Sequence, residues 1–290
     1  MEPTRRAFMV EIGAAVGLMA VATPLGPVRA EDGTGTSDWS VADHARVRLI
    51  DAGPSPRDAT QRLAGLQIEL DPAYLTYWRS PGEAGLPPTV SFAGSASLKA
   101  ATLLYPAPGR YSEGGTEAIG YKDGVIFPLL ITPKDADKPA DLKVALDFAI
   151  CERLCLPAKA AASLGLGGDG KTPEADLVRD ALAHVPVPAK VGDNGALAIV
   201  AVDGVAGDPT LTVRARAEGP DVPMLFAEAP DPWFVQAGEG LWSSDGTLRY
   251  TLRVAAKPAD RAPLPLRLTL VGADAAIEVP VTLDAPPAKP

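Results

Sequence analysis

The chain has 290 residues, of which 47% are hydrophobic and 6% aromatic, and its formal net charge is −9. This length allows two domains with cores of their own. The 30 prolines argue against long helices and favour short strands joined by turns, and the acidic balance offers no basic face for a nucleic-acid partner.

Residues 1–30 have the features of an export signal. Arg5 and Arg6 stand in a segment that resembles the twin-arginine motif. The uncharged stretch 12–28 that follows is marginal as a membrane span, since about 20 apolar residues are needed. The segment Val28-Arg29-Ala30 ends in a small residue, which suits cleavage after Ala30. The sequence therefore predicts a twin-arginine signal peptide over 1–30 and a mature protein that is soluble in the periplasm, where cysteines can be oxidised.

From residue 38 apolar and polar side chains alternate in short runs, which is typical of β-strands. The predicted strands before the cysteines are 44–50, 63–70, 89–92, 98–105, 125–131 and 141–150, with a further aromatic strand end over 74–78. Prolines and glycines predict a long loop over 106–115. Pro128, inside a predicted strand, indicates an edge strand or a bulge.

The two cysteines, Cys151 and Cys155, lie four residues apart directly after the run 141–150. A disulfide that closes so short a loop contributes about 2 kcal/mol through chain entropy, against about 4.7 kcal/mol for a hundred-residue loop. The pair is therefore better explained by the chemistry of its sulfurs than by a role in holding two segments of the chain together. Arg153 and Lys159 would favour thiolate formation by placing cations nearby, although Glu152 opposes them.

Three interpretations of the pair stay open on this reasoning. We favour a reversible dithiol/disulfide couple. The first alternative is a Cu(I) site on two thiolates, since thiolates select soft metals, and the second is a small structural disulfide in an exported domain. The spacing is not the C-x-x-C of a thioredoxin helix, so we do not expect that fold.

Beyond the cysteines, the sequence predicts a strand over 160–166 and a helix over 173–184, with Thr172 as its cap and Pro173 at its first position. The glycines of 165–170 match the spacing of a dinucleotide site, but no βαβ unit surrounds them, so we expect a loop. Residues 185–195 read as an interdomain linker. The alternating runs that predict a second β-sandwich are 196–202, 211–217, 247–255, 264–271 and 276–283.

Four motifs occur in an order that resembles a known family. They are YWRSPGEAGLPP at 77–88, YPAPGR at 105–110, GYKD at 120–123 and CERLCLPA at 151–158. Together they resemble the amino-terminal periplasmic domain of the DsbD-type thiol:disulfide interchange proteins, particularly the ScsB-like branch. The resemblance is strong over 38–185 and weaker over the β-rich remainder.

The resemblance implies an immunoglobulin-like sandwich whose catalytic residues are Cys151 and Cys155, with the redox-active disulfide in place of any cofactor. It also implies a loop that caps the cysteines, which we place within 111–115. Tyr111 would shield the sulfurs, with Tyr121 beginning the next strand and Pro157 as a supporting residue. In this family the second cysteine joins the client, so Cys155 would attack and Cys151 would resolve.

The implied partners are a membrane-embedded DsbD/CcdA-like electron donor and periplasmic thioredoxin-like or disulfide isomerase clients. We expect the donor to be a separate protein, because no multi-span segment is found in this sequence. Two departures from the family are the shorter cysteine spacing and the lack of a carboxy-terminal thioredoxin-like domain with its own C-x-x-C.

The sequence thus predicts a mostly-β protein with two immunoglobulin-like β-sandwich domains, at 38–185 and 190–286, and one short helix near their junction. The predicted activity is that of a periplasmic thiol:disulfide oxidoreductase of the protein-disulfide reductase type. The alternative is a periplasmic Cu(I)-binding or copper-tolerance module that uses the same thiolates, and an adaptor with a purely structural disulfide is a third hypothesis. Anaerobic titration with Cu(I) separates the metal module from the redox domain.

Overall fold

The computed structural model describes residues 35–83, 85–113, 116–135, 138–255 and 263–285. The predicted signal peptide, 1–30, lies outside these residues. Within them, no helix combines the length and the apolar character needed to cross a membrane.

Eleven strands precede the helix in the described part of the chain, most of them where alternation predicts them. They are β1 (Ser40–Ala42), β2 (Ala45–Pro54), β3 (Arg62–Leu70), β4 (Leu75–Gly82), β5 (Thr89–Ser91), β6 (Leu98–Leu103), β7 (Gly109–Glu113), β8 (Thr116–Lys122), β9 (Gly124–Pro133), β10 (Ala140–Cys151) and β11 (Cys155–Leu166).

These strands form the two sheets of the first sandwich. One sheet has the order β1-β2-β3-β9-β6, and the other has the order β11-β10-β4-β8-β7, with β5 also paired to β10. Leu49, Leu66 and Phe127 of the first sheet share one buried core with Trp78 and Leu146 of the second. Because side chains alternate along a strand, each sheet turns one apolar face to this core.

The helix α1 (Pro173–Ala183) covers the outer face of the first sheet. The Thr172 hydroxyl accepts a hydrogen bond from the amide of Ala175, which caps the helix as predicted. Val178 packs over β3 at Gly65, where an added Cβ would lie 2.6 Å from a Val178 methyl group. Glycine at this position therefore lets the helix approach the sheet closely.

Nine strands follow the helix in the described residues, and they form the two sheets of a second sandwich. They are β12 (Val187–Pro188), β13 (Ala198–Asp203), β14 (Thr210–Arg216), β15 (Met224–Glu228), β16 (Val235–Ala237), β17 (Leu241–Trp242), β18 (Leu248–Val254), β19 (Leu264–Val271) and β20 (Ala276–Leu283). The sheet orders are β12-β20-β19-β15 and β13-β14-β18-β16, with β17 paired to β18. The predicted fold class is confirmed.

The two sandwiches belong to one compact unit of the chain. Phe226 of β15 joins the core cluster of the first sandwich and packs against Trp78, with 5.7 Å between ring centroids. The start of the predicted linker also takes part in the fold, because β12 pairs in parallel with β20. The domain limits 38–185 and 190–286 stay predictions.

Two local predictions differ from the structure. The predicted loop 106–115 contains strand β7, which is ordered by pairing with β8 and not by its own composition. Strand β9, which contains Pro128, lies between β3 and β6 and not at an edge. The carbonyl of Pro128 accepts a hydrogen bond from the amide of Leu104, one residue past the end of β6. The nitrogen of Pro128, which carries no hydrogen, therefore faces the chain at a point where β6 has already ended.

Candidate redox site

The two cysteines close the β10–β11 hairpin. Cys151 ends β10 and Cys155 begins β11, and they are register partners with their Cα atoms 4.2 Å apart and their sulfurs joined in a disulfide. The alternating sequence of β10 and β11 places twelve residue pairs in register up to this point. The hairpin therefore brings the sulfurs together at a defined place, the end of the second sheet.

The two sulfurs differ in their surroundings. Cys151 is 4% exposed and lies in an apolar cluster, whereas Cys155 is exposed to solvent. The turn between them carries Leu154, which is 71% exposed. An approaching protein would therefore meet Cys155 before Cys151.

Tyr77 forms the closest polar contact of the exposed sulfur. Its hydroxyl lies 3.0 Å from the Sγ atom of Cys155, and the hydroxyl is the donor because a disulfide carries no S–H group. Tyr77 is itself 2% exposed. Its ring is covered by Gly85, where an added Cβ would lie 2.6 Å from the ring. This close packing fixes the hydroxyl beside the sulfur.

Tyr111 lies on the buried side of the disulfide. It is half-buried and packs against the apolar cluster that contains the buried sulfur. The members of that cluster are Leu75, Tyr77, Ala118, Ala149 and Cys151. The structure thus brings Tyr111 to the cysteine pair, and its role as a shield stays a prediction. Gly114 and Gly115, the end of the predicted cap loop, lie outside the described residues.

The other two predicted site residues have structural positions. Tyr121 is 7% exposed in the core between the sheets, where its hydroxyl donates to the carbonyl of Pro106 over 2.8 Å and its ring meets Phe127 edge-on. Burial raises the pKa of Tyr121 well above its usual range. Pro157 lies on β11, an edge strand of its sheet, and pairs with Ala149 of β10. A missing N–H is tolerated on an edge strand.

Comparison with known proteins shows what the first sandwich is similar to. Residues 49–165, which include both cysteines, match the family described as "Thiol:disulfide interchange protein DsbD, N-terminal". The first sandwich is therefore similar to a DsbD-type N-terminal domain. The whole fold is similar to the crystal structure of the N-terminal periplasmic domain of ScsB from Proteus mirabilis, with a TM-score of 0.66 and 22% sequence identity over 88% of this chain and 100% of that one. A search of curated proteins found no match.

The charged residues near the cysteines are paired with each other. Lys159 contacts Asp147, its register partner on β10, over 2.5 Å, and Arg153 lies 3.6 Å from Glu152. The expectation that Arg153 and Lys159 act as cations near the sulfurs is therefore weakened, because a neighbouring carboxylate offsets each positive charge. The hydroxyl of Tyr77 replaces them as the polar group nearest to Cys155.

The sequence did not predict the contact of Tyr77 with the disulfide. Tyr77 opens the motif 77–88, but its contact with Cys155 joins residues 78 apart along the chain. That contact follows from the pairing of β4 with β10, in which Leu75 is the partner of Cys151. Only the aromatic character of the strand signalled it in the sequence.

The described residues of the two sandwiches contain no group of three or more His, Cys, Asp or Glu side chains placed to hold a metal ion. The Cu(I) hypothesis thus depends on the two thiolates of Cys151 and Cys155 alone.

Proposed function

We propose that this protein exchanges electrons with periplasmic proteins through the Cys151–Cys155 pair, as a thiol:disulfide oxidoreductase. The observation that carries this proposal is a disulfide at a hairpin end of a DsbD-type domain, with one sulfur exposed and the other buried. The disulfide itself would carry the electrons, so the proposal needs no other cofactor. Leu154 presents an exposed apolar side chain to a client between the two cysteines.

The reaction begins with the reduced pair. The thiolate of Cys155 attacks one sulfur of a client disulfide, forms a mixed disulfide and releases the other client sulfur as a thiolate, which takes up a proton. Cys151 then loses its proton and attacks the Sγ atom of Cys155. The Cys151–Cys155 disulfide forms again, the second client thiolate leaves, and two electrons have passed to the client.

The oxidised pair must then be reduced for another cycle. We propose a membrane-embedded DsbD/CcdA-like protein as the donor, and thioredoxin-like proteins or disulfide isomerases of the periplasm as the clients. The family match over 49–165 supports this class of reaction, and the similarity to a periplasmic domain supports the compartment.

Single cysteine variants test the roles of the two sulfurs. Cys151→Ser should accumulate a mixed disulfide with an oxidised thioredoxin-like client on a non-reducing gel, because the resolving thiol is absent. Cys155→Ser should give little adduct, because its remaining sulfur is buried. The reverse pattern would overturn the assignment of roles.

The reduction potential tests whether the disulfide works or is structural. Structural disulfides usually have potentials below about −300 mV, whereas exchange partners are reduced more easily. Equilibration with glutathione or dithiothreitol buffers measures the potential. A value well below that threshold, together with no adduct from either variant, would reject the proposed function.

A further inference from the structure

Two arginines of the first sandwich reach the second sandwich, and each lies close in sequence to a tyrosine of the disulfide site. Arg110 directly precedes Tyr111 on β7, and Arg79 follows Tyr77 by two residues on β4. Their side chains are 23% and 19% exposed. Charges with so little access to water are stable only when they are paired, so their partners determine how β4 and β7 are held.

Arg110 ties strand β7 to both sheets of the second sandwich. Its Nη1 atom donates to the carbonyl of Ala237 over 3.0 Å, and its Nη2 atom donates to the carbonyl of Leu225 over 2.8 Å. Leu225 lies on β15 and Ala237 on β16, which belong to different sheets. Nη1 also donates to Glu117 on β8 over 2.9 Å. One guanidinium thus joins the β7–β8 hairpin to the second sandwich.

Arg79 holds strand β4 in a similar way. It forms two hydrogen bonds of 2.9 and 2.7 Å with Glu228 on β15, and it also contacts Glu278 on β20. Burial acts to lower the pKa of Arg79, but the two carboxylates outweigh it and raise that pKa. The guanidinium lies 4.5 Å from the ring centroid of Trp78, which packs against Phe226 of the second sandwich.

Strand β7 needs such support because it is an edge strand of its sheet and, among the described residues, pairs with β8 alone. An edge strand with one neighbour can separate locally at low cost in free energy. If β7 moved, Tyr111 would leave the cluster that contains Cys151. The bonds of Arg110 to the second sandwich oppose that movement, since hydrogen bonds from a charged donor are stronger than neutral ones.

We propose that the second sandwich positions Tyr77 and Tyr111 against the disulfide through Arg79 and Arg110, and so limits how readily the disulfide is reached. The two arginines are positioning residues and do not touch the sulfurs. This inference rests on the proposed function insofar as it takes Cys151–Cys155 as the reactive group. It assigns to the second sandwich a part in that reaction.

A small reductant tests access to the disulfide in the full chain without any client. Tris(2-carboxyethyl)phosphine reduces a disulfide to two thiols, while its phosphorus gains an oxygen atom from water. To obtain the second-order rate constant of this reduction, the reaction is stopped in acid, the thiols are alkylated and the masses of the products are measured by mass spectrometry. The variants are Arg110→Ala, Tyr111→Ala and the double variant, with Arg214→Ala as the matched control, because Arg214 pairs with Asp203 inside the second sandwich.

The disulfide of Arg110→Ala should be reduced about tenfold faster than that of the unmodified chain, because local separation of β7 then no longer has to break a hydrogen bond from a charged donor. If Arg110 acts through Tyr111, the double variant should react at the rate of Tyr111→Ala alone. Arg214→Ala should leave the rate unchanged.

Either of two results would overturn the inference. One is an unchanged rate in an Arg110→Ala protein whose near-ultraviolet circular dichroism shows a folded chain. The other is the same tenfold rise in the presence and in the absence of Tyr111, which would mean general loosening of the fold. If Arg110→Ala does not fold, Arg110→Lys takes its place with an expected rise of about threefold, and an unchanged rate again overturns the inference. Because no client takes part, the potential and client-adduct results that together would reject the proposed function leave this result unaffected.

Discussion

Removing the hydroxyl of Tyr77 should raise the pKa of the Cys155 thiol in the reduced protein. In the oxidised structure this hydroxyl donates to the Sγ atom over 3.0 Å, and a thiolate at the same place is a stronger acceptor. A hydrogen bond to a charged group contributes about 1.5–3 kcal/mol. Because Cys155 is exposed, water replaces part of the lost bond in Tyr77→Phe, so we expect the lower end of this range. That is a rise of about one pKa unit, at 1.36 kcal/mol per unit.

The measurement uses Cys151→Ser as the background, so that Cys155 is the single thiol of the chain. The rate of alkylation by iodoacetamide as a function of pH gives the pKa of that thiol, because the thiolate is the nucleophile. Tyr250→Phe is the control, since Tyr250 is also buried but donates to the carbonyl of Pro223 in the second sandwich. An unchanged or lowered pKa in Tyr77→Phe would refute the reasoning, as would an equal rise in the control.

Three further predictions concern stability and export. Arg79→Ala should lower the free energy of unfolding, measured by urea denaturation, by about 2–3 kcal/mol. This loss is smaller than for a fully buried ion pair, because the two glutamate partners of Arg79 keep some contact with water. A loss below about 0.5 kcal/mol would contradict the prediction, since that is typical of plain surface positions. Asp51→Ala should lower the free energy of unfolding by about 3 kcal/mol or more, because Arg62 and three backbone amides lose their common acceptor. Asp51→Asn keeps one acceptor oxygen and should lower it less, and a loss below about 1 kcal/mol in Asp51→Ala would contradict the role of this carboxylate. Replacing Arg5 and Arg6 together by Lys should trap the precursor inside the cell in a fractionation experiment, and unchanged export would indicate the general secretory route.

The sequence predicted the elements whose signals are local. Alternation of apolar and polar side chains identified β10, and its exposure pattern alternates in the same way. The helix α1 was predicted from Thr172 and Pro173, because a cap and a proline at the first position act through their own backbone neighbours. The cysteine pair was found for the same reason, since its short spacing after a strand is a property of one segment.

The tertiary structure decided the features that depend on distant partners. Strand β7 lies in a segment with the composition of a loop, and its pairing with β8 makes it a strand. Gly165 belongs to β11, whereas the glycines of 167–170 form a loop whose amides at Gly167 and Gly168 are held by Asp51, more than a hundred residues earlier.

The same holds for the candidate site itself. The spacing of the cysteines indicated redox chemistry, but the exposure of Cys155, the burial of Cys151 and the hydroxyl of Tyr77 beside the sulfur follow from how β4 pairs with β10. The contact of Arg110 with Leu225 likewise joins residues 115 apart. Alternation along a strand fixes which side chains share a face, whereas the register between strands and the packing of the two sandwiches determine which of those faces meet.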